Sequence, residues 1–213
     1  MKNKTLEQRN YTFDISAERS ESGISTLRGT PIVYGSYTDI GGYFREVIEA
    51  GALDGANLKD VPLLVNHNER MIPIARSRNN TPKSTMRLTP TASGLEMEAD
   101  IDTARNSTAM ELDSAVERGD LDGMSFKFSV EDEKWEGLDT DYPTRRILKF
   151  GTIAEVSAVT WPAYEATSIY AARGKEVLEN ARSALDSARS HERESLDSDL
   201  ELLKLKTRLL GGI

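Results

Sequence analysis

The sequence predicts a β-rich α+β fold with a helical C-terminal tail. From Leu27 to about Arg173, short apolar or alternating segments are separated by Gly, Pro, Asn and Asp, a pattern typical of strand-rich domains. One segment inside this region, residues 107–120, has the apolar period of a helix. Residues 174–213 contain no Pro and place Leu and Ala at three- and four-residue intervals, which indicates further helix.

The N-terminal 28 residues are polar and rich in Ser and Glu, so we expect an arm in which only YTFDI has the pattern of an edge strand. A short helical turn is expected at 45–55. Strands are predicted at 30–38, 61–67, 71–77, 84–91, 94–101, 124–136, 144–162 and 166–172.

The helix predicted at 107–120 has start and stop signals. Ser107 or Thr108 can cap its N-terminus, and Gly119 lies where a helix C-cap falls. Its apolar side is marked by Met110, Leu112, Ala115 and Val116.

The strand predicted at 124–136 alternates with a period of two. Alternation points successive side chains to opposite faces of a sheet. Ser125, Lys127 and Ser129 are therefore expected on the face opposite the apolar residues of MSFKFSVE.

The tail forms either two helical pieces or one interrupted helix, because Leu196, Leu200 and Leu203 resume the helical spacing after a polar gap. We therefore divide the chain into an arm at 1–28, a domain at 29–173 and an acidic helical tail at 174–213. Amphipathic helices of this kind often pair as coiled coils or bind partners.

Composition excludes several classes of function. The 27 basic and 35 acidic residues give a formal charge of -8, which provides no general attraction for nucleic acid. The absence of Cys excludes disulfides, zinc–thiolate sites and a cysteine nucleophile. No secretory signal and no apolar run long enough for a bilayer is present, so we expect a soluble, cytoplasmic protein that does not bind membranes.

Ser125 is the candidate nucleophile. It follows a Gly-containing turn in DLDGMSFKF and begins an alternating strand, so a rigid backbone can present its hydroxyl while Gly123 leaves room for a substrate carbonyl. The pattern is equally compatible with a polar residue on a half-buried strand.

The chain has two histidines, His67 and His191. His67 ends the apolar strand VPLLVNH, where it can project into a cleft, and histidine suits a base that works near neutral pH. A structural histidine bonded to a loop is the alternative. His191 lies in a charged helical stretch and is expected to be solvated. Glu155 lies in the apolar strand of GTIAEVSAV, where a carboxylate is either inward and paired or outward and exposed.

Four segments, in this order and spacing, resemble the prohead maturation proteases of tailed bacteriophages, which are distantly similar to the herpesvirus assemblins. The segments are GTPIVYGSYT, PLLVNHNER, GDLDGMSFKF and IAEVSAVTWPAYEATSIYAAR. The resemblance covers roughly two thirds of the chain, from about 29 to 173.

The resemblance implies a mostly antiparallel β-barrel with a few packed helices. It implies that Ser125 is the nucleophile and His67 the general base. Assemblins use a second histidine as the third member, which this sequence lacks, so Glu155 is assigned there and Glu69 and Asp122 are the alternatives. No metal or other cofactor is expected.

The oxyanion donor stays open between a backbone N–H near Ser125 and a water held by Arg145 or Arg146. Trp161, with the Pro and Ala that follow, is interpreted as a rigid strand end whose indole packs at the core margin, with a substrate-pocket role as the alternative.

The resemblance also implies the setting. The protease would act in the host bacterial cytoplasm, inside the assembling procapsid, on a scaffold protein or the scaffolding domain of the capsid protein, and on itself. A homodimer is one arrangement it implies. The tail at 174–213 would dock to scaffold or shell, or be removed by self-cleavage. The rival interpretations are a non-enzymatic capsid assembly or scaffolding protein, and a hydrolase of unrelated mechanism.

Overall fold

The computed structural model describes residues 6–11, 15–20, 23–160 and 175–210. The strands of this part are β1 (Glu7–Tyr11), β2 (Ile15–Arg19), β3 (Ile24–Val33), β4 (Tyr37–Ile40), β5 (Phe44–Ile48), β6 (Val61–Val65), β7 (Ala75–Ser77), β8 (Met86–Pro90), β9 (Gly94–Asp102), β10 (Gly123–Glu136) and β11 (Thr144–Val159). Its helices are α1 (Ser107–Glu117) and α2 (Lys175–Leu210).

The described strands form two sheets. The seven-stranded sheet has the order β1-β10-β11-β5-β4, with β6 paired to β11 and β7 to β6. The four-stranded sheet has the order β2-β3-β9-β8. Pairing is antiparallel except where β11 runs parallel to β5 and to β6.

The predicted β-rich α+β fold with a C-terminal helix is therefore confirmed. The predicted barrel is not confirmed, because both sheets of the described part are open. Alternation in a sequence reports that a strand has two faces, but it does not report whether the last strand of a sheet reaches the first.

The hairpin of β10 and β11 forms the central part of the larger sheet. Phe126 and Phe128 lie on its apolar face and pack with Phe150, with ring centroids 5.0 to 6.0 Å apart. Each such aromatic pair stabilises the fold by about 0.5–1.5 kcal/mol beyond its burial. The predicted alternation is confirmed over 124–127, since Ser125 and Lys127 lie opposite the polar Ser157 and Glu155, whereas Met124 and Phe126 lie opposite Ala158 and Val156.

Helix α1 confirms the helix predicted at 107–120, although it ends at Glu117 and its cap differs from the prediction. Asn106, rather than Ser107 or Thr108, caps it: the side-chain carbonyl of Asn106 accepts hydrogen bonds from the amides of Thr108 (3.1 Å) and Ala109 (3.3 Å). Gly119 follows the C-cap with φ of 72°, as its position predicts.

Met110, predicted on the apolar side of α1, is exposed instead. The buried residues of this helix are Ala109, Leu112, Asp113 and Val116. Asp113 replaces Met110 on the inner side because its carboxylate accepts a hydrogen bond from the Ser25 hydroxyl (2.5 Å) and pairs with Arg19.

The helical turn predicted at 45–55 is wrong in its first part. Phe44–Ile48 is strand β5, whose buried Phe44, Val47 and Ile48 pack in the core, and turns follow at 50–55. Strands β1 and β2 lie in the stretch predicted as a polar arm. The strand predicted at 166–172 and the turn at Trp161 lie outside the described residues.

The tail forms one continuous helix, α2, of 36 residues, so the prediction of two pieces or of an interrupted helix is wrong: the exposed polar residues at 190–195 continue the helix. Its first half packs on the sheet: Ala181 and Leu185 are buried beside Ile40 and Phe44, and Arg189 donates to the carbonyl of Thr140 (2.8 Å). Its second half is exposed along its described length. Neither described helix is both long and apolar enough to span a bilayer.

Candidate active site

Three neighbouring strands bring the candidate residues together. Ser125, near the start of β10, lies directly opposite Ser157 of β11 in the antiparallel register. Glu155 precedes Ser157 by two residues and therefore shares its face of the sheet. On the other side of β11, strand β6 pairs in parallel, with Val65 next to Ala158. The C-terminal end of β6 therefore lies beside Ser157.

His67 reaches the same face through a constrained turn after β6. Asn66 and His67 both have left-handed backbone conformations, with φ of 51° and 56°. Asn and His are among the residues that tolerate this region best. Asn66 is fixed from both sides, because its amide donates to the carbonyl of Ala158 (2.9 Å) and its side-chain oxygen accepts from the amide of Thr160 (3.1 Å).

The side chains of His67, Glu155 and Ser157 then form a connected group, and Ser125 lies opposite Ser157 in the sheet. Nδ1 of His67 is hydrogen-bonded to Oε1 of Glu155, and Oε2 of Glu155 accepts a hydrogen bond from the Ser157 hydroxyl at 2.6 Å. The backbone amide of His67 donates to the same hydroxyl at 3.3 Å. We call His67, Ser125, Glu155 and Ser157 the site cluster.

The contact with Glu155 fixes the orientation of the His67 ring. Glu155 is inward, with 4% of its side chain exposed, and His67 has 12% exposed. An ionised carboxylate only accepts hydrogen bonds, so opposite such a carboxylate Nδ1 is the donor and Nε2 is left as the acceptor. A buried carboxylate also stabilises the imidazolium that forms after proton uptake. Chemically, this pair can act as a base with its tautomer fixed.

Ser125 is completely buried. Its hydroxyl donates a hydrogen bond to the backbone carbonyl of Arg9 at 2.7 Å. Arg9 belongs to β1, which pairs with β10 on the side away from β11, with Asn10 opposite Ser125. The hydroxyl of the candidate nucleophile is therefore in contact with the N-terminal strand.

The structure places the alternative site residues elsewhere. Glu69 is largely exposed and pairs with Lys127, which holds the pKa of the Glu69 carboxyl below its ordinary value through a hydrogen bond and its charge. Asp122 is exposed. His191 is solvated as predicted, with 79% of its side chain exposed on α2.

The two arginines considered as oxyanion donors lie toward the opposite end of β11. Arg146 pairs with Glu49 (2.5 Å) and Glu136 (2.9 Å). Arg145 is buried among carboxylates. Neither lies beside Ser125, so the backbone N–H alternative for the oxyanion stays a prediction.

Arg145 belongs to a second buried polar group, the ion cluster, which joins four distant segments of the chain. Its members are Glu7, Arg9, Glu46, Glu133 and Arg145. Burial raises the pKa of Glu7, but the hydrogen bonds and charges of Arg145 and Arg9 outweigh it and lower this pKa to about 2. Burial likewise lowers the pKa of Arg145, whereas Glu7 and Glu46 raise it above its ordinary value, which is the net direction. The contacts between Glu7 and Arg145 therefore favour the charged form of both groups.

Ser157 and Asn66 are the site residues that the sequence did not single out. Ser157 bridges Glu155 and the His67 backbone, and Asn66 fixes the turn. The order Glu-Val-Ser places Ser157 on the same strand face as Glu155, and that alternation was the available signal.

The contact of His67 with a buried carboxylate, beside the strand that carries Ser125, is the kind of pairing by which serine hydrolases orient a base. The family described as Caudovirus prohead serine protease matches residues 11–181, and the chain belongs to this family. It is thereby, at the level of the family, a serine protease of phage capsid maturation that acts on the prohead inside the host cell. No curated protein and no solved structure matches the chain significantly.

Proposed function

We propose that this chain is a serine endopeptidase of procapsid maturation in which Ser125 is the nucleophile, His67 the general base and Glu155 the residue that orients His67. The contact between Nδ1 of His67 and the buried Glu155 carries this proposal. Both residues are the ones that the family resemblance assigns to these roles, and 88 positions separate them in the sequence. Ser125 supports the assignment because it faces Ser157, which touches both partners.

The proposed reaction proceeds through an acyl-enzyme. His67 takes the proton of the Ser125 hydroxyl through Nε2 as the oxygen attacks the substrate carbonyl carbon. The tetrahedral intermediate collapses, and His67 gives the proton to the leaving amine. Water then hydrolyses the ester by the same steps. Glu155 keeps Nδ1 protonated throughout, so that Nε2 always faces the reaction.

The proposed substrates are the scaffold protein or the scaffolding domain of the capsid protein, and the chain itself. Family membership supports a substrate in the prohead. Removal of a scaffold is a proteolytic step that an endopeptidase enclosed in the shell can perform without reaching other proteins of the host cell.

We also propose that the second half of α2 docks to a helical segment of the scaffold. Beyond Arg189, its described side chains leave the sheet, and Leu196, Leu200 and Leu203 are 49–63% exposed along one face. An amphipathic helix typically lays such a face into an apolar groove or against another helix. A chain that ends after Glu192 keeps the packed first half and should retain peptidase activity but fail to enter procapsids. Normal packaging of this truncated chain would refute the docking role.

The central experiment compares purified wild type with Ser125→Ala during assembly with capsid and scaffold proteins. Mass spectrometry should find scaffold fragments and self-cleavage fragments in the wild type and none with Ser125→Ala. The matched control is Ser129→Ala, a buried serine of the same strand, which should still yield the fragments. Fragments that persist with Ser125→Ala would exclude it as the nucleophile, and maturation without any fragments would favour a non-enzymatic assembly protein.

A further inference from the structure

Strand β1 lies where a peptide substrate would be expected to bind. It pairs antiparallel with the edge of β10 that faces away from β11, over Glu7–Tyr11. Proteins commonly bind extended peptides by adding a strand to such an edge, because the main chain supplies the hydrogen bonds and side-chain pockets supply specificity. This edge carries Ser125, and its partner at that position is Asn10.

The Ser125 hydroxyl contacts a peptide carbonyl, as a nucleophile contacts the carbonyl of a bound substrate. The Ser125 hydroxyl donates to the carbonyl oxygen of Arg9 at 2.7 Å, so the peptide bond between Arg9 and Asn10 lies beside the proposed nucleophile. For attack, the hydroxyl hydrogen must pass to His67 while the oxygen approaches the carbonyl carbon. In the observed arrangement this hydrogen is engaged by the carbonyl oxygen. The strand is therefore bound in a non-reacting position.

The Arg9 side chain occupies a closed acidic pocket. Its Nε donates to Oε1 of Glu46 at 2.6 Å and its Nη2 to Oε2 of Glu46 at 2.7 Å, and the guanidinium lies 5.4 Å from the centre of the Phe128 ring. The side chains of Arg9 and Glu46 are both fully buried. Paired hydrogen bonds of this kind match the planar fork of an arginine better than the ammonium of a lysine.

Departure of β1 would leave the buried Glu46 without its paired guanidinium. Glu7 and Arg9 leave together and their charges cancel, so the formal charge of the ion cluster does not change, but Glu46 keeps only its contact with Arg145. Loss of the two hydrogen bonds from Arg9 to a fully buried carboxylate is costly unless another guanidinium takes that place.

Nearly all of β1 lies outside the residues that match the family. The match begins at residue 11, so Glu7, Arg9 and the rest of β1 except Tyr11 precede it. The site cluster and the edge of β10 lie wholly within the match.

We infer that β1 is a built-in pseudo-substrate and that the site accepts, in its place, extended peptides that put an arginine into the Glu46 pocket and the carbonyl of that arginine beside Ser125. This inference rests on the proposed function. Cleavage of such a peptide forms a bond between Oγ of Ser125 and the arginine carbonyl carbon and breaks the bond to the following nitrogen. His67 transfers the proton from the hydroxyl to the leaving amine, and water then releases the peptide that ends in arginine.

A reversible lock on β1 tests whether the strand must leave. Gln8 and Lys127 are cross-strand partners, and the chain has no other cysteine to interfere with a Gln8→Cys, Lys127→Cys double variant. Directly opposite residues of antiparallel strands come close enough for a disulfide. With the disulfide formed, labelling of Ser125 by a fluorophosphonate should be slower by about tenfold or more, because opening a fixed strand requires local unfolding. Reduction should restore the rate.

The single variant Lys127→Cys, treated with the same oxidant, is the control and should show no change. Equal labelling rates in the oxidised and reduced double variant would overturn the pseudo-substrate assignment.

Peptide binding tests the pocket without depending on catalysis. The full-length protein with Arg9→Gln keeps the strand but vacates the guanidinium position, and it should bind a fluorescent peptide of residues 6–11, Leu-Glu-Gln-Arg-Asn-Tyr. The same peptide with Gln in place of Arg should bind more weakly by about thirtyfold or more, the effect of deleting one partner of a buried charge pair. Adding Glu46→Gln to the protein should make the two peptides equal.

The outcomes separate this inference from the proposed function. If the two peptides bind equally, or neither binds, the arginine pocket is refuted. If the arginine peptide binds selectively but Ser125 is never labelled and no peptide is cut, the strand position and pocket stand while the catalytic assignment fails.

Discussion

The site cluster and the ion cluster lie in the same sheet, are both buried and both join distant parts of the chain, yet they are built from different chemistry. The ion cluster contains two guanidinium groups and three carboxylates, and each carboxylate is paired with at least one guanidinium. The site cluster contains one imidazole, one carboxylate and two hydroxyls. Permanent charges in mutual contact hold strands together, whereas an imidazole held by one carboxylate can exchange a proton.

Burial of polar groups therefore does not by itself mark a catalytic centre. A groove of about 610 Å³ lies on the four-stranded sheet and is lined in part by Arg28, Arg87 and Glu96. It contains no member of either cluster. Removal of one member should lower the rate of cleavage in the site cluster, but the free energy of unfolding in the ion cluster.

His67→Ala should have the largest effect. Removal of the base is expected to reduce kcat by about 10⁵- to 10⁶-fold, because nucleophile and base act as a unit. The measurement is single-turnover cleavage of a scaffold peptide. The control His191→Ala should cleave like wild type, because that histidine is exposed on α2. Combining His67→Ala with Ser125→Ala should add little, and a fully additive loss would contradict their joint role.

Glu155→Gln should have the second-largest effect, a loss in kcat of about 10⁴-fold. An amide can present its N–H to the imidazole and so stabilise the wrong tautomer. KM should change little, since Glu155 lies behind His67 rather than against substrate. Thermal unfolding should show that the variant stays folded. A rate within tenfold of wild type would remove Glu155 from the mechanism.

Arg145→Ala should act on stability. It leaves the buried Glu7 and Glu46 with Arg9 alone and the partly exposed Glu133 without its arginine, and the free energy of unfolding should fall by about 3–5 kcal/mol. Its neighbour Arg146 has partly exposed partners, so Arg146→Ala should cost only about 0–1 kcal/mol in urea unfolding. Equal losses for the two arginines would contradict the structural role of the ion cluster.

Acid should weaken the ion cluster in a defined window. The pKa of Glu7 is lowered from 4.5 to about 2, so its contribution to stability is complete above about pH 4.5 and is lost as the pH falls towards 2. The stability difference between wild type and Glu7→Gln should therefore be largest near neutral pH and shrink across this window. The other carboxylates of the cluster, Glu46 and Glu133, are present in both proteins and face the same two arginines, so this difference isolates Glu7. A difference independent of pH would refute the assignment.

Sequence reasoning recovered the local elements well where one pattern dominates. The alternation around Ser125 gave strand β10, and the tail spacing gave α2. It failed at Phe44–Ile48, where three buried apolar residues in five are compatible with a helical turn and the pairing with β4 and β11 decides for a strand. The cap of α1 shifted by one residue because Asn106, Ser107 and Thr108 can all serve.

The site was predictable only in part. Ser125, His67 and Glu155 were chosen through the family resemblance, since a serine after a turn or a histidine at a strand end is common in any β-rich protein. Their contacts depend on the parallel pairing of β6 with β11, which no local pattern encodes. For the same reason the pairing of Arg9 with Glu46 was not foreseen: these residues lie 37 positions apart and meet only because β1 pairs with β10.

The most direct test of the account is the rate at which a fluorophosphonate modifies full-length wild type and full-length His67→Ala, with the modified residue located by peptide mass spectrometry. The account predicts that the label sits on Ser125 in the wild type and that His67→Ala slows its attachment by about a thousandfold or more. β1 covers Ser125 in both proteins, so it affects both rates alike. Labelling of a different serine, or equal rates in the two proteins, would contradict it.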